Sequence, residues 1–299
     1  MLAQAVKTAQ RQRIVNGQGF IAALDQSGGS TPKALMAYGY QADAWSSEDE
    51  MFALVHAMRS RVMQSPSFTS GSILGAILFE KTLLNQVADV PTAQYLWEQA
   101  SVVPFLKIDA GLADVEGAVQ CMKPMPRLSA LLQTAKEQGV YGTKMRSLIH
   151  GLDTDGIARV VAQQFAVARE VIAAGLVPIV EPEVDIHAAD REGIETLLVD
   201  LMLGELDQLA PGQEVILKLS IPVAPDAYAG LRDHPAVQRL VALSGGFSRE
   251  DACERLAQNP GMIASFSRAL MEGLSAGQSD EDFDAQLASV IAQITAASA

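Results

Sequence analysis

Lys218 is the residue whose surroundings in this sequence point most clearly to covalent chemistry. It lies in the segment EVILKLSIP, with apolar neighbours on both sides. Loss of water around the amine, together with a second cation such as Lys144 or Lys107, favours the neutral amine. A neutral amine can attack a carbonyl and form a Schiff base, which accepts electrons during carbon–carbon cleavage. A structural ion pair with Glu181 is the alternative, and the residues alone weigh the two interpretations equally.

Two glutamates are candidates for proton transfer beside this amine. Glu181 and Glu183 flank Pro182 in the segment VEPEV. Carboxylates beside a reactive group can act as general acid and base. We expect the two side chains on opposite faces of an extended strand, one facing the amine and the other supporting it. A solvated strand end without a catalytic role is the alternative.

A first glycine-rich segment, LSGGF, is typical of a phosphate-binding loop. Ser244, Gly245 and Gly246 precede a helix start at Ser248, and Arg268 ends the next apolar run. Backbone N–H groups that no Cβ atom obstructs bind anions at such helix starts. A simple turn is the alternative interpretation.

A second segment, DQSGGS, follows the first apolar run of the chain. It contains Ser27 and Ser30 and leads to Lys33. Together with the LSGGF segment it predicts two anion sites on opposite sides of one cavity, an arrangement that suits a bisphosphate.

Eight short apolar runs must position these residues, and such runs are typical of parallel strands buried on both faces. They cover residues 20–24, 73–79, 102–108, 139–145, 176–180, 214–219, 237–243 and 262–266. Helical patterns lie between them; one recurs at Ile157, Val160, Val161, Gln164 and Ala168. This alternation predicts an α/β chain that folds as a single (β/α)8 TIM barrel, one domain over residues 1–299. The segment beyond Gly277 predicts an extra C-terminal helix on the outside of the barrel.

Charged residues end nearly every run, and this is the position where barrel active sites form. Asp25, Lys107, Lys144, Arg146 and Glu181 are among them. One such lysine is weak evidence, because long side chains often extend into solvent. A whole ring of buried charges without a function would be costly, so the set predicts an active site.

The composition limits the classes of partner that the chain is expected to bind. The 22 basic and 35 acidic residues give a net charge of −13, which argues against binding to nucleic acid or to anionic membranes. Cys121 and Cys253 are too few for a disulfide framework and are spaced unlike a metal-binding pair, so we expect two reduced thiols. The first residues have no signal-peptide pattern and no run is long enough to span a membrane, which predicts a cytoplasmic protein.

With these motifs assembled, the sequence resembles the class I (Schiff-base, metal-independent) fructose-bisphosphate aldolases of the short bacterial type. The resemblance extends over residues 21–274. It rests on LDQSGGSTPK, ILFEKTL, VPFLKID, YGTKMR, GLVPIVEPEVDI, VILKLS, LSGGFSREDA and FSRAL, which occur in the family's order.

The resemblance implies reversible cleavage of fructose 1,6-bisphosphate without a cofactor. It implies a Schiff base on Lys218, acid–base catalysis by Glu181, support from Lys144 and Glu183, and orientation of a substrate hydroxyl by Asp25. It also implies a first phosphate site at Ser244, Gly245 and Arg268, and a second at Ser27, Ser30, Lys107 and Arg146 with Lys33 nearby.

Gln26 departs from the animal-type family pattern, which has glutamate after the first-strand aspartate, so an acidic role at this position is lost. Two other functions stay open from the sequence. One is a Schiff-base aldolase or transaldolase-like enzyme for another phosphosugar, and the other is a non-catalytic phosphosugar-binding protein. The sequence is also compatible with a homo-oligomer, but it locates no surface patch for one.

Overall fold

The computed structural model describes residues 2–28 and 31–298. Its strands are β1 (Phe20–Leu24), β2 (Ile73–Leu78), β3 (Gln86–Val87), β4 (Val90–Pro91), β5 (Val103–Lys107), β6 (Val119–Gln120), β7 (Gly142–Ile149), β8 (Val177–Val184), β9 (Val215–Ser220), β10 (Val237–Leu243) and β11 (Met262–Ala264). Its helices are α1 (Leu2–Asn16), α2 (Thr31–Ala37), α3 (Glu48–Gln64), α4 (Glu80–Leu83), α5 (Thr92–Gln94), a π-helix (Tyr95–Gln99), α6 (Leu128–Glu137), α7 (Thr154–Ala173), α8 (Arg191–Leu206), α9 (Ala229–Arg232), α10 (Arg249–Leu256), α11 (Arg268–Met271) and α12 (Asp280–Ala297).

Eight parallel strands form a nearly closed ring in the order β1-β2-β5-β7-β8-β9-β10-β11. The ring approaches closure where the N–H of Ala23 donates to the carbonyl of Phe266 at 3.3 Å. The predicted (β/α)8 TIM barrel is therefore confirmed. The short strand β6 pairs antiparallel with β7, and β3 and β4 form a separate hairpin.

Several predicted strand limits are wrong by a few residues, and two of the errors have clear causes. Residues 139–141 do not belong to β7, because Gly139 lies in the left-handed region and the N–H of Val140 bonds back to Ala135 on α6. Strand β8 continues to Val184, beyond the predicted limit at residue 180. The apolar run ends at Glu181, but the ladder with β7 continues through the two glutamates.

An apolar plug fills the barrel interior below the charged layer. Phe105 occupies the space between β2 and β7, where a Cβ on Gly75 or Gly142 would lie within 3.0 Å of its ring. Tyr141 meets the same ring edge-on at a centroid distance of 5.6 Å. Helix α1 contributes Ile14 to this interior cluster. Because Gly75 and Gly142 have no side chain, the ring of Phe105 has room in the barrel interior.

The charged layer lies directly above this plug, because side chains two residues apart on a strand share a face. The inward positions change from apolar to charged from Phe105 to Lys107, from Ile179 to Glu181 and from Ile216 to Lys218. The carboxyl ends of the strands therefore carry their charges into one space, as barrel active sites require.

The C-terminal helix is present as α12, and it packs beside β11. Its apolar face, Phe283, Leu287, Val290 and Ile294, is buried, and Ser298 just beyond it accepts a hydrogen bond from the N–H of Ala264 at 3.0 Å. Within the described ranges, no helix has the length and apolar character needed to cross a membrane.

Candidate active site

A cavity of about 600 Å³ opens at the carboxyl ends of the barrel strands. Its polar lining contains six cations and four carboxylates among the described residues. The cations are Lys33, Lys107, Lys144, Arg146, Lys218 and Arg268, and the carboxylates are Asp25, Asp109, Glu181 and Glu183. The cavity is therefore more basic than the chain as a whole, which carries −13.

The floor of the cavity holds a continuous chain of four charged groups. Lys144 Nζ lies 2.6 Å from Asp25 Oδ2 and 3.0 Å from Glu181 Oε2. The second carboxylate oxygen of Glu181 lies 3.0 Å from Lys218 Nζ. All four side chains are at most 9% exposed. Glu181 thus bridges two buried amines, one of which is the candidate nucleophile.

The protonation states of these charged side chains follow from their ion pairs. Burial alone would raise the pKa of Asp25 and of Glu181, but the ammonium groups of Lys144 and Lys218 outweigh it and hold both pKa values below their usual range. Burial would lower the pKa of Lys144, but Asp25 and Glu181 raise it well above its usual value. Lys144 therefore stays a cation, and the carboxylates stay ionised at neutral pH.

Two further ion pairs lie along the wall of the cavity. Lys107 Nζ donates to Asp109 Oδ1 at 2.6 Å and to its carbonyl at 2.8 Å. Arg146 Nε donates to Glu183 Oε2 at 2.5 Å. Burial would lower the pKa of Arg146, but the carboxylate of Glu183 raises it above the usual value. These cations keep part of their hydrogen-bonding capacity for a ligand, since each has several N–H groups.

The expectation that Glu181 and Glu183 lie on opposite faces is wrong. Both line the same cavity, because alternate residues of a strand share a face and Pro182 points the other way. The two carboxylates have different partners. Glu181 contacts both amines, whereas Glu183 contacts Arg146.

The LSGGF segment forms a tight turn at the end of β10. Gly245 and Gly246 have φ values of 62° and 117°, and the N–H of Phe247 donates to the carbonyl of Ser244 at 2.9 Å. A Cβ on Gly245 would lie 2.5 Å from Ile186 Cγ2, so this turn requires glycine. Ser244 and Gly245 line the cavity.

Gly246 lines a neighbouring cavity, of about 340 Å³, instead of the main one. Arg268 and Gln26 line both cavities and form part of the boundary between them. Neither Arg268 nor Lys33 has a carboxylate partner within 4 Å in the part of the chain that the structure describes. These two cations are therefore free to pair with an anionic ligand.

The described part of the DQSGGS segment, residues 25–28, does not lie across the cavity from Arg268, although the sequence suggested that it would. Strands β1 and β11 are neighbours where the ring closes, so Ser27 and Lys33 lie on the same side as Arg268. The cations on the opposite arc are Lys107 and Arg146, at the ends of β5 and β7. Ser30, predicted as a phosphate ligand, lies outside the described residues.

Four polar residues that line the cavity were not predicted as site residues: Gln26, Asp109, Ser265 and Ser267. Ser265 could have been found from strand alternation, since it lies two residues beyond the inward Ile263. Gln26 is fixed by a contact that no local pattern reveals. The fully buried Arg59 of α3 donates to its carbonyl at 2.5 Å, and burial lowers the pKa of Arg59 to about 10.

The arrangement is suited to amine chemistry on an anionic carbonyl compound. A buried amine lies beside a carboxylate that can exchange a proton with it, and a second buried cation holds that carboxylate. The described residues contain no cluster of histidine, cysteine or acidic side chains arranged to hold a metal ion.

Comparisons of the sequence with a family model and with known proteins all point to the same family. Residues 5–192 match the family model for class I fructose-bisphosphate aldolase. The chain is 52% identical over 289 residues to fructose-bisphosphate aldolase class 1 of Synechocystis sp., with 97% of this chain and 96% of the relative covered. It is 50% identical over 289 residues to the Porphyromonas gingivalis protein of the same name, with 97% and 98% covered.

A solved structure of Plasmodium falciparum fructose-bisphosphate aldolase, in complex with TRAP and a small-molecule inhibitor, has the same fold. It superposes with a TM-score of 0.78 at 21% identity, and the match covers 99% of this chain and 93% of that one. The chain described here belongs to the class I fructose-bisphosphate aldolase family.

Proposed function

We propose that this chain cleaves fructose 1,6-bisphosphate reversibly into dihydroxyacetone phosphate and glyceraldehyde 3-phosphate, through a Schiff base on Lys218. The observation that carries the proposal is the buried chain in which Glu181 bridges Lys218 and Lys144 at 3.0 Å each. The names of the two bacterial relatives support the same substrate.

Schiff-base formation moves two protons from the Lys218 ammonium group to the keto oxygen, which leaves as water. Glu181, 3.0 Å from Nζ, accepts the first proton, and the neutral amine then attacks the keto carbon of the open-chain sugar. The second proton moves from the nitrogen to the oxygen and gives the carbinolamine. Glu181 then returns a proton to the carbinolamine hydroxyl, which departs as water. Lys144 keeps Glu181 ionised before the attack and supports the developing charge.

Cleavage then breaks the bond between C3 and C4 of the iminium. Asp25, whose carboxylate is ionised, accepts the proton of the C4 hydroxyl. The bonding electrons move to the iminium and form an enamine, and glyceraldehyde 3-phosphate leaves. Protonation of the enamine at C3 and addition of water release dihydroxyacetone phosphate and regenerate Lys218. Glu183 contributes indirectly, because its carboxylate pairs with Arg146 and holds that side chain in place.

The two ends of the substrate would meet basic groups on opposite arcs of the cavity. We propose that Ser244, Gly245 and Arg268 hold one phosphate, and that Lys107 and Arg146 hold the other. Ser27, Ser30 and Lys33, which follow the first strand in the sequence, are proposed as further phosphate ligands. Gly246 would shape the turn instead of contacting the phosphate, because it lines the neighbouring cavity. Charge-assisted hydrogen bonds of this kind are strong enough to orient the sugar.

The remaining parts of the proposal come from the sequence. They are a single domain over residues 1–299, a cytoplasmic location, catalysis without metal or cofactor, and no nucleic-acid or membrane partner. Light scattering on the purified protein would test for the homo-oligomer that the sequence permits.

Borohydride trapping tests the central claim. Reduction in the presence of fructose 1,6-bisphosphate should leave a stable adduct on Lys218, which peptide mass spectrometry can locate. Lys218→Met should abolish both the adduct and turnover, whereas Lys136→Met, at an exposed position on α6, should change neither. An adduct at another lysine, or activity that a chelator removes, would refute this mechanism.

Substrate comparison separates the rival functions. Equal efficiency with fructose 1-phosphate would mean that the second phosphate contributes nothing, and it would favour another phosphosugar. Tagatose 1,6-bisphosphate tests the selectivity for the sugar itself. A chain that binds these sugars without an adduct or turnover would be a binding protein.

A further inference from the structure

Arg59 is a fully buried cation on α3 to which the proposed reaction gives no role. Its guanidinium has no carboxylate within 4 Å among the described residues. It donates instead to two neutral oxygens, the carbonyl of Gln26 at 2.5 Å and Thr82 Oγ1 at 2.6 Å. Its Nε has no partner in the described part of the chain. An unpaired buried charge costs stability, so the need for stability does not explain an arginine at this position.

The two oxygens belong to segments that leave neighbouring strands at the mouth of the barrel. Gln26 follows β1, whose last register pair with β2 joins Leu24 to Leu78. Thr82 lies on α4, the helix that follows β2. The planar guanidinium has several N–H groups and can therefore contact both segments at once. Arg59 thus connects the segment after β1 to the helix after β2.

Asp25 lies between two points at which this part of the chain is held. On one side, Leu24 belongs to the ladder with β2, and on the other side the carbonyl of Gln26 accepts the hydrogen bond from Arg59. Burial lowers the pKa of Arg59 to about 10, and the negative charge of Asp25 opposes that fall. Arg59 is therefore a cation at neutral pH, and it holds the backbone next to the carboxylate.

The position of the Asp25 carboxylate determines whether it can accept a proton from the substrate. Its Oδ2 lies 2.6 Å from Lys144 Nζ, so the side chain is already directed into the cavity. A group that accepts a proton must lie within hydrogen-bonding distance of the atom that loses it. A misplacement of about 1 Å can reduce a rate by up to about 100-fold.

We propose that Arg59 is a positioning residue for Asp25 in the cleavage of the C3–C4 bond: it holds the carbonyl of Gln26 and so directs the neighbouring carboxylate toward the C4 hydroxyl. This role rests on the proposed function, because it belongs to one step of that reaction. Arg59 does not line the cavity, so it acts through Asp25 and Gln26. Schiff-base formation, which uses other side chains, should not depend on it.

The variants Arg59→Met and Arg59→Lys test this role. Methionine removes the charge and both hydrogen bonds, whereas lysine keeps the charge but lacks the planar group that contacts two oxygens. We expect kcat for cleavage of fructose 1,6-bisphosphate to fall about 10- to 100-fold in Arg59→Met and by a smaller factor in Arg59→Lys. Borohydride trapping at Lys218 with saturating dihydroxyacetone phosphate, which has no C4 hydroxyl, should stay within about twofold of wild type in rate and extent.

Arg239→Met is the matched control. Arg239 lies near the start of β10, at the end of the barrel opposite the cavity, and donates to the carbonyls of Ile14 at 3.0 Å and Gly17 at 2.8 Å. Burial also lowers the pKa of this arginine, which has no carboxylate within 4 Å among the residues described. Its loss should reduce stability but leave kcat unchanged. An equal fall in kcat in Arg239→Met and Arg59→Met would overturn the proposed role.

A double-mutant cycle with Asp25→Asn separates positioning from a general disturbance of the barrel. If Arg59 acts through Asp25, Arg59→Met should slow the cleavage by Asp25→Asn less than about twofold, because the carboxylate that it positions is already absent. Losses that multiply in the double variant would contradict the proposed role. So would a kcat within about twofold of wild type in both Arg59 variants, or a trapping rate that falls in parallel with kcat.

The wild-type protein keeps the two proposals apart. If it neither forms the adduct on Lys218 nor cleaves fructose 1,6-bisphosphate, the proposed function is refuted. If it does both, and the Arg59 variants match it in both measurements, only the role of Arg59 is refuted.

Discussion

Removing the amine of Lys144 is the sharpest test of the buried charge chain. In Lys144→Met a side chain of similar length stays in place, but the cation that contacts Asp25 at 2.6 Å and Glu181 at 3.0 Å is lost. Lys218 then remains as the nearest cation to two buried carboxylates. The variant therefore isolates the electrostatic contribution of one group.

The distances set the size of the effect. With an effective dielectric constant near 20, unit charges at these separations attract by about 6 kcal/mol for each contact. Most of this is offset by the cost of removing the ammonium from water. Measured losses on removing one partner of a buried pair are about 3–5 kcal/mol. We expect the free energy of unfolding of Lys144→Met to fall by about this amount at pH 7.

The pH dependence gives the direction of the effect independently. The native pKa values of Asp25 and Glu181 are lowered, so their contribution to stability is complete above the unfolded values, near pH 4, and is lost as the pH falls toward the native values. Without Lys144 the native pKa values rise. The difference between wild type and variant should therefore be largest at neutral pH and shrink below about pH 4.

Urea denaturation from pH 3 to pH 7 measures both quantities, with Lys136→Met as the control. Lys136 is exposed on α6 and has no carboxylate within 4 Å among the described residues, so its loss should change the unfolding free energy by less than about 0.5 kcal/mol. A Lys144→Met variant within about 1 kcal/mol of wild type at pH 7 would refute the reasoning, as would a difference that widens in acid.

Two further predictions concern the proposed phosphate sites. Arg268→Met should lower kcat/KM about 10- to 100-fold, mainly through KM, because a charge-assisted hydrogen bond contributes about 1.5–3 kcal/mol. The variant should also weaken the dependence of KM on ionic strength. Steady-state kinetics at low and high salt would measure both effects, and an unchanged KM would contradict the prediction. Gly245→Ala should raise KM about tenfold, because the new Cβ would lie 2.5 Å from Ile186 Cγ2. The matched control Gly139→Ala has a similar φ of 73° with nothing within 4 Å, so its KM should not change, and equal effects in the two variants would exclude the contact with Ile186 as the cause.

Strand alternation explains why much of the barrel and the charged floor could be predicted. A strand buried on both faces rarely carries a charge, so Lys218 within VILKLS already marks an inward position at the mouth. The same holds for Glu181 after an apolar run. These predictions depend on neighbours one or two residues away, and the local sequence contains that information.

Other features depend on contacts between segments that are far apart in the sequence, and the order of the segments along the chain does not predict these contacts. The first and last strands are neighbours in the ring, so Ser27 lies on the same side of the cavity as Arg268. The hydrogen bond from the N–H of Glu181 to Gln164 Oε1 joins a strand to a helix. In the sequence, Gln164 is simply a polar residue in an apolar helical pattern, and only the folded structure shows which backbone group it contacts.

The distribution of charge reconciles an acidic chain with an anionic substrate. The acidic residues include exposed groups at helix starts, such as those at 48–50 of α3 and 280–282 of α12. At physiological ionic strength their field decays over about 8 Å, so it acts on large partners that approach the surface. In the cavity all four carboxylates are paired with cations, while Lys33 and Arg268 have no carboxylate within 4 Å among the described residues. The net charge of −13 therefore argues against nucleic acid, whereas the local excess of cations decides which small molecule can bind.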